Sequence, residues 1–172
     1  MMRIVIRSVI WAGLLAAALS AAGSRFVHAD GKYLVAPGGE KLILRGINLG
    51  NWLVPEGYMF HFDKGPASYR EIAALANGLI GPDAAARFWK QYRESYVAES
   101  DIRFIHEAGF NSIRIPFHWK LIEDGTAFPL LDRVIAWCRD RHIWVILDMH
   151  CAPPRITAWF LSTWRMASVI LR

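Results

Sequence analysis

Two short apolar runs, Ser112-Ile113-Arg114-Ile115-Pro116 and Ile143-Trp144-Val145-Ile146-Leu147-Asp148, constrain the fold of this chain most. Neither alternates apolar with polar residues as a strand with one wet face would. Both faces therefore need cover, which is the habit of a parallel sheet flanked by helices. Each run follows a helical pattern. Over 99–108, Ile102, Ile105 and Ala108 line one side and Gly109 is placed to end the helix; over 130–141, Leu130, Val134 and Cys138 share a face.

Upstream, Tyr33-Leu34-Val35 and Leu42-Ile43-Leu44 flank the turn residues 36–40 and read as a hairpin. The second run continues through Asn48 to Trp52 as strand one of the body. Helices are expected over 68–77 and 82–96, with Pro82 at a first helical position and Gly78 and Gly81 separating the two. Strand, helix, strand, helix, strand is α/β grammar. Composition leaves open a doubly wound sheet or a barrel, although no glycine-rich phosphate loop follows strand one.

Residues 1–29 stand apart. Arg3 and Arg7 precede an apolar run that passes into small residues and ends at Val27-His28-Ala29, the pattern of an export leader cut after Ala29. The run is shorter than the roughly 20 residues a spanning helix needs, so no stable membrane association is expected once the leader is removed. A secreted or periplasmic location follows. The formal charge of +5 resides at the two ends, because 1–29 and 155–172 each hold three arginines and no acid. The body between them carries 14 basic and 15 acidic groups, which excludes a phosphate-binding stripe and a nucleic-acid partner. Cys138 and Cys151 fall at opposite ends of a helix-to-strand unit, beyond bridging distance, and are expected as free thiols.

Polar and aromatic residues gather where each strand ends: Asn48, Asn51 and Trp52 after the first, Arg114, His118 and Trp119 at the second, Asp148 and His150 at the third. In a βα sheet these carboxyl ends form the rim where active sites sit. Arg114 interrupts an apolar strand, so its guanidinium needs acceptors. Alone it reads equally as half of an internal ion pair with Asp148 or Glu56; within the three-strand pattern it reads as a ligand-binding group. Trp52 and Trp119 read either as flat faces for a sugar ring or as covers for the core edge. Trp89, Trp137 and Trp144 read as packing residues. No spacing of His, Cys or acid resembles a zinc site, so no metal is expected.

These residues carry a family resemblance. Leu44-Arg45-Gly46-Ile47-Asn48-Leu49-Gly50-Asn51-Trp52-Leu53 resembles the opening strand of glycoside hydrolase family 5, most closely its exo-β-1,3-glucanase and glucosylceramidase-like branch. Gly109-Phe110-Asn111-Ser112-Ile113-Arg114-Ile115-Pro116-Phe117 is similar to that family's second strand, and Val145-Ile146-Leu147-Asp148-Met149-His150-Cys151-Ala152-Pro153 to its third. The resemblance implies the N-terminal part of a (β/α)₈ TIM barrel, about three βα units, with the barrel incomplete. It also implies retaining hydrolysis of β-glucans or related β-glycosides without a cofactor. By resemblance, Arg114 and His150 line the subsite at the scissile bond and Glu56 grips sugar hydroxyls. Asn48, Trp52 and Trp119 complete the expected substrate-binding set. Met149, Cys151 and Pro154 depart from the family's usual Leu, Gly and Gly.

A retaining glycosidase needs two carboxyl groups roughly 5 to 5.5 Å apart, which the family places on strands four and seven. No acidic residue follows Asp148 in these 172 residues, so no catalytic residue is assigned and the chain alone is expected to be inactive. The expected organisation is a leader over 1–29, the N-terminal portion of a catalytic domain over 30–154, and a tail over 155–172. That tail lacks acid, glycine and proline and is expected to be alien to the barrel, as a shifted reading frame near Pro154 would make it.

Overall fold

A computed structural model describes residues 26–151 and the backbone of 168–171. Its contacts divide the chain into two units, 1–43 and 44–172. Most of the expected leader, residues 152–167 and residue 172 lie outside the described residues.

In the first unit the expected hairpin is a three-stranded antiparallel meander of β1 (His28–Asp30), β2 (Tyr33–Val35) and β3 (Lys41–Leu42). Gly31 at φ 55° turns β1 into β2, a left-handed position that glycine occupies without a Cβ penalty. Two of the three β1 residues, His28 and Ala29, fall within the stretch read as leader, paired with Val35 and Leu34. Removing 1–29 would strip that strand from the meander.

The second unit holds the parallel sheet. Strands β4 (Gly46–Asn48), β5 (Ser112–His118) and β6 (Trp144–Cys151) pair in sequence order. Helices α1 (Tyr69–Ile80), α2 (Pro82–Ser95) and α3 (Glu99–Glu107) come between β4 and β5; α4 (Trp119–Glu123) and α5 (Ala127–Asp140) come between β5 and β6. The starts have local causes. Ser68 and Glu71 form a reciprocal capping box on α1, Pro82 opens α2, and Asp101 reaches back to the Ala98 N–H at 2.8 Å to open α3.

Both helices that feed strands end alike. After α3, the Phe110 N–H bonds the Ile105 carbonyl and the Gly109 N–H that of His106; after α5, Ile143 bonds Cys138 and His142 bonds Arg139. This double closure requires a left-handed residue, supplied by Gly109 at φ 85° and, at greater cost, by His142 at φ 56°. Chain reversal delivers β5 and β6 side by side.

On one face of the sheet Ile113, Ile115, Phe117 and Val145 pack into a core with Ile102 and Ile105 of α3 and Leu130, Leu131, Val134 and Cys138 of α5. Burial pushes the Cys138 thiol up to about 12, and both cysteines are free, as expected.

Three details differ from the sequence reading. Strand one is short: β4 spans 46–48, and the chain rejoins β5 only at an isolated Leu53 to Phe117 bridge. Between Asn48, paired with Arg114, and Leu53, paired with Phe117, β4's chain takes five steps against three. The surplus is looped out around Gly50 and Asn51, the latter at φ 62°. The segment after β5, to which no element was assigned from sequence, is a short helix, α4, because His118 Nδ1 accepts from the Lys120 N–H and caps it. Finally, the tail was expected to be alien to the barrel, yet β7 (Ser168–Leu171) within it pairs antiparallel with the far edge of β6, from Val145 with Leu171 to Asp148 with Ser168.

Candidate active-site rim

The second sheet face carries the polar residues. Asn48 on β4 lies in register with Arg114 on β5, and Asp148 and His150 follow on β6. The Arg114 guanidinium donates from Nη1 to Asn48 Oδ1 at 2.9 Å and from Nη2 to Asp148 Oδ2. His150 Nδ1 stands 3.0 Å from Arg114 Nη2 and 3.2 Å from Asp148 Oδ2. It serves one partner at a time: Nδ1 accepts from the guanidinium in the tautomer protonated on Nε2 and donates to the carboxylate in the tautomer protonated on Nδ1. In the first of these Nε2 keeps an N–H for another group.

A register step aims that histidine. Pairing passes from Phe117 with Met149 to His118 with Cys151, so His150 is the extra residue of a β-bulge. Bulges re-aim a side chain at a strand's end, and here the ring leans back over Arg114. The Arg114 side chain stays 35% exposed while that of Asp148 is 16% exposed, so the pair is anchored in the sheet yet open to solvent on one side. Donors from Arg114 and Asn48 and an acceptor from Asp148 thus meet on one rim, which suits a ligand rich in hydroxyl groups.

Glu56 enters by a different route. The side chain of buried Asn51 accepts the Glu56 N–H at 2.9 Å, and the Tyr92 hydroxyl donates to the Asn51 carbonyl at 2.6 Å. Burial, with Tyr96 adding, raises the Tyr92 hydroxyl's pKa, so it remains a donor. Gly57 next to it has no room for a side chain, since a Cβ there would stand 2.1 Å from the Pro66 carbonyl oxygen. Burial raises the Cys151 thiol, and the charges of Glu56 and Asp148 add to this. Asn48, Arg114, Asp148 and His150 therefore converge, while Glu56 is positioned by Asn51 in the loop after β4.

The two tryptophans do not join them. Trp52 is a correction: it is fully buried, and its indole N–H donates to the Arg93 carbonyl at 2.8 Å. The looped-out residues at Gly50 and Asn51 turn it into the core, leaving no face for a sugar. Trp119 begins α4 and lines a separate groove with His118, Tyr69 and Lys120. Tyr69 and Tyr92 were not singled out from sequence. Their signal was weak, since aromatic residues on amphipathic helices ordinarily read as packing. Among the described residues no three His, Cys, Asp or Glu side chains form a metal-binding group, and no helix is long and apolar enough to cross a membrane.

A family model for cellulase (glycosyl hydrolase family 5) matches residues 77–168, more than half of the chain. The chain belongs to glycosyl hydrolase family 5. The match takes in β5, β6 and their polar ends, and runs past Pro154 into the segment set apart on composition. A protein named "Beta-xylosidase" from Phanerodontia chrysosporium is 29% identical over 136 residues, covering 74% of this chain and 28% of that protein. One named "Probable glucan 1,3-beta-glucosidase A" from Neosartorya fischeri is 34% identical over 122 residues, covering 64% and 29%. "Endoglucanase C" of Acetivibrio thermocellus is 36% identical over 76 residues, covering 38% and 22%. The chain spans less than a third of the length of these relatives. Family 5 membership implies a TIM barrel, of which the described sheet supplies three parallel strands.

Proposed function

We propose that this family 5 chain is the sugar-gripping N-terminal portion of an exported retaining glycosidase acting on β-glucans or related β-glycosides, and that the 172 residues alone bind such saccharides without cleaving them. One observation carries the reading: Arg114 is held at the ends of three parallel strands by Asn48, Asp148 and His150, on the sheet face opposite the core. The relatives' names, spanning xylosidase, glucosidase and glucanase, support a β-linked saccharide without fixing its linkage.

Retaining hydrolysis needs a nucleophilic carboxylate and a carboxylic acid that first protonates the leaving oxygen and then activates water. Arg114, Asn48 and His150 supply donors for hydroxyls and for a neighbouring carboxylate, and Glu56 and Asp148 supply acceptors. None of these is placed as the nucleophile and acid pair, since Asp148 is committed to Arg114. Residues 30–154 form the binding portion in this account, with 1–29 directing export.

The test is co-sedimentation of the full chain with insoluble β-1,3-glucan alongside a reducing-sugar assay on soluble glucan. Retention that His150→Ala weakens, with no sugar released, is the expected result. Sustained sugar release by the 172-residue chain would overturn the non-cleaving claim; no retention would overturn the binding claim.

A further inference from the structure

Beyond the strand ends that hold Arg114, the chain builds a second concave feature. Tyr69 in the first turn of α1, His118 at the end of β5 and Trp119 at the start of α4 form a column of nearly parallel rings. Tyr69 and His118 lie 4.8 Å apart at 27°, and His118 and Trp119 lie 6.0 Å apart at 26°. The column lines a groove floored by Ala73 and Ala74 of α1, with Asn77 and Lys120 among the polar groups beside it. All three rings stay partly exposed, although stacking rings of this size in a core would close them off.

The polar edge of the column is set. His118 Nδ1 accepts the Lys120 N–H at 3.2 Å, so its proton sits on Nε2 and can be donated. Burial, followed by the Lys120 charge, holds the imidazole below its ordinary value, so the ring is neutral at pH 7. Small residues leaving space, flat apolar faces and a few fixed donors are the composition of a ligand site for an amphipathic ring. A pyranose ring in a β-linked chain has such a character, with C–H faces and an equatorial belt of hydroxyls.

Position decides which ligand. His118 lies four residues beyond Arg114 on the same strand, about 13 Å at 3.3 Å per residue. That is farther than one sugar ring reaches and within reach of a chain of them. We propose that the Tyr69, His118 and Trp119 groove is an outlying subsite that holds a distal ring of the same β-linked saccharide whose near ring sits at Arg114 and His150. This rests on the binding role given above to Arg114. It assigns to α1 and the β5 to α4 junction a part in selecting chain length.

The test is calorimetric titration of the full 172-residue chain with a β-1,3-linked glucose disaccharide and hexasaccharide. The hexasaccharide is expected to bind more tightly, and Tyr69→Ala and Trp119→Ala are each expected to weaken it about tenfold, the size expected for a lost aromatic stacking contact. Disaccharide binding to Tyr69→Ala should be unchanged. On the unmutated chain, the His118 ring resonances, assigned with His118→Gln, should shift with hexasaccharide and not with disaccharide. Equal affinity for both saccharides, or variants and resonances that do not respond, overturns the subsite while leaving the Arg114 reading standing. Absence of binding to either saccharide overturns both.

Discussion

The two faces of β5 are one residue apart in sequence and opposite in what they need. Ile113 and Ile115 are fully buried and Phe117 is nearly so, enclosed by α3, α5 and their neighbours, all within the described chain. Arg114 on the other face keeps a third of its side chain in solvent and holds Asn48, Asp148 and His150 by hydrogen bonds. One face stabilises the fold by removing apolar area from water. The other contributes little stability and positions charged groups. Exposed ion pairs contribute about 0–1 kcal/mol to stability, which supports the proposal that this cluster is kept for a ligand.

That contrast can be broken first at Ile115. Ile115→Ala leaves a cavity between sheet and helices and is expected to cost about 2–5 kcal/mol in denaturant unfolding. A cost below 1 kcal/mol would mean that the helix-covered face is not the stabilising one. On the opposite face Asp148→Ala removes the guanidinium's carboxylate partner. Because Arg114 retains Asn48, His150 and water, the same measurement should show only about 1 kcal/mol. If Asp148→Ala costs as much as Ile115→Ala, the polar face is a structural ion pair and the site reading loses its basis.

The helix ends sharpen the comparison at smaller scale. Gly109 and His142 fill the same left-handed position after α3 and α5, and His142 is exposed. His142→Gly should therefore stabilise the chain by about 1 kcal/mol, and Gly109→Ala should destabilise it by a similar amount. Opposite signs in thermal melts are the outcome to look for.

The smallest expected effect is a pH dependence. His118 has a folded pKa below its ordinary 6.5, so below that pH the unfolded chain takes up a proton that the folded chain refuses. Its contribution is present above about pH 6.5 and is lost as pH falls through the folded pKa. Stability of the unmutated chain should decline over that acidic window more steeply than that of His118→Gln.

Much of this architecture was legible because the residues that build it are periodic. The apolar runs at 112–116 and 143–148 and the helical stripes before them gave both parallel strands and the helices covering them. Arg114, Asp148 and His150 stood out because a charge in an apolar strand must be partnered. Irregular backbone was not legible. The surplus residues at Gly50 and Asn51 break strand one and rotate Trp52 into the core, and nothing in an apolar run ending in polar residues reveals how many of them will loop out. The bulge at His150 and the short helix from Trp119 are of the same kind, set by local hydrogen bonds rather than by pattern. Tyr92 shows a further limit: its hydroxyl holds the Asn51 turn 41 residues away, a contact that sequence spacing does not disclose.

The most direct test is a calorimetric titration of the 172-residue chain and its Arg114→Lys variant with a β-1,3-linked glucose disaccharide. Lysine keeps the charge but loses the planar fork that engages Asn48 and Asp148 together, so this substitution probes geometry rather than charge. Measurable binding by the unmutated chain, weakened at least tenfold in the variant while its unfolding midpoint stays nearly unchanged, is the predicted result. No binding by the unmutated chain, or equal binding by both, would contradict the assignment of the polar face as a saccharide site.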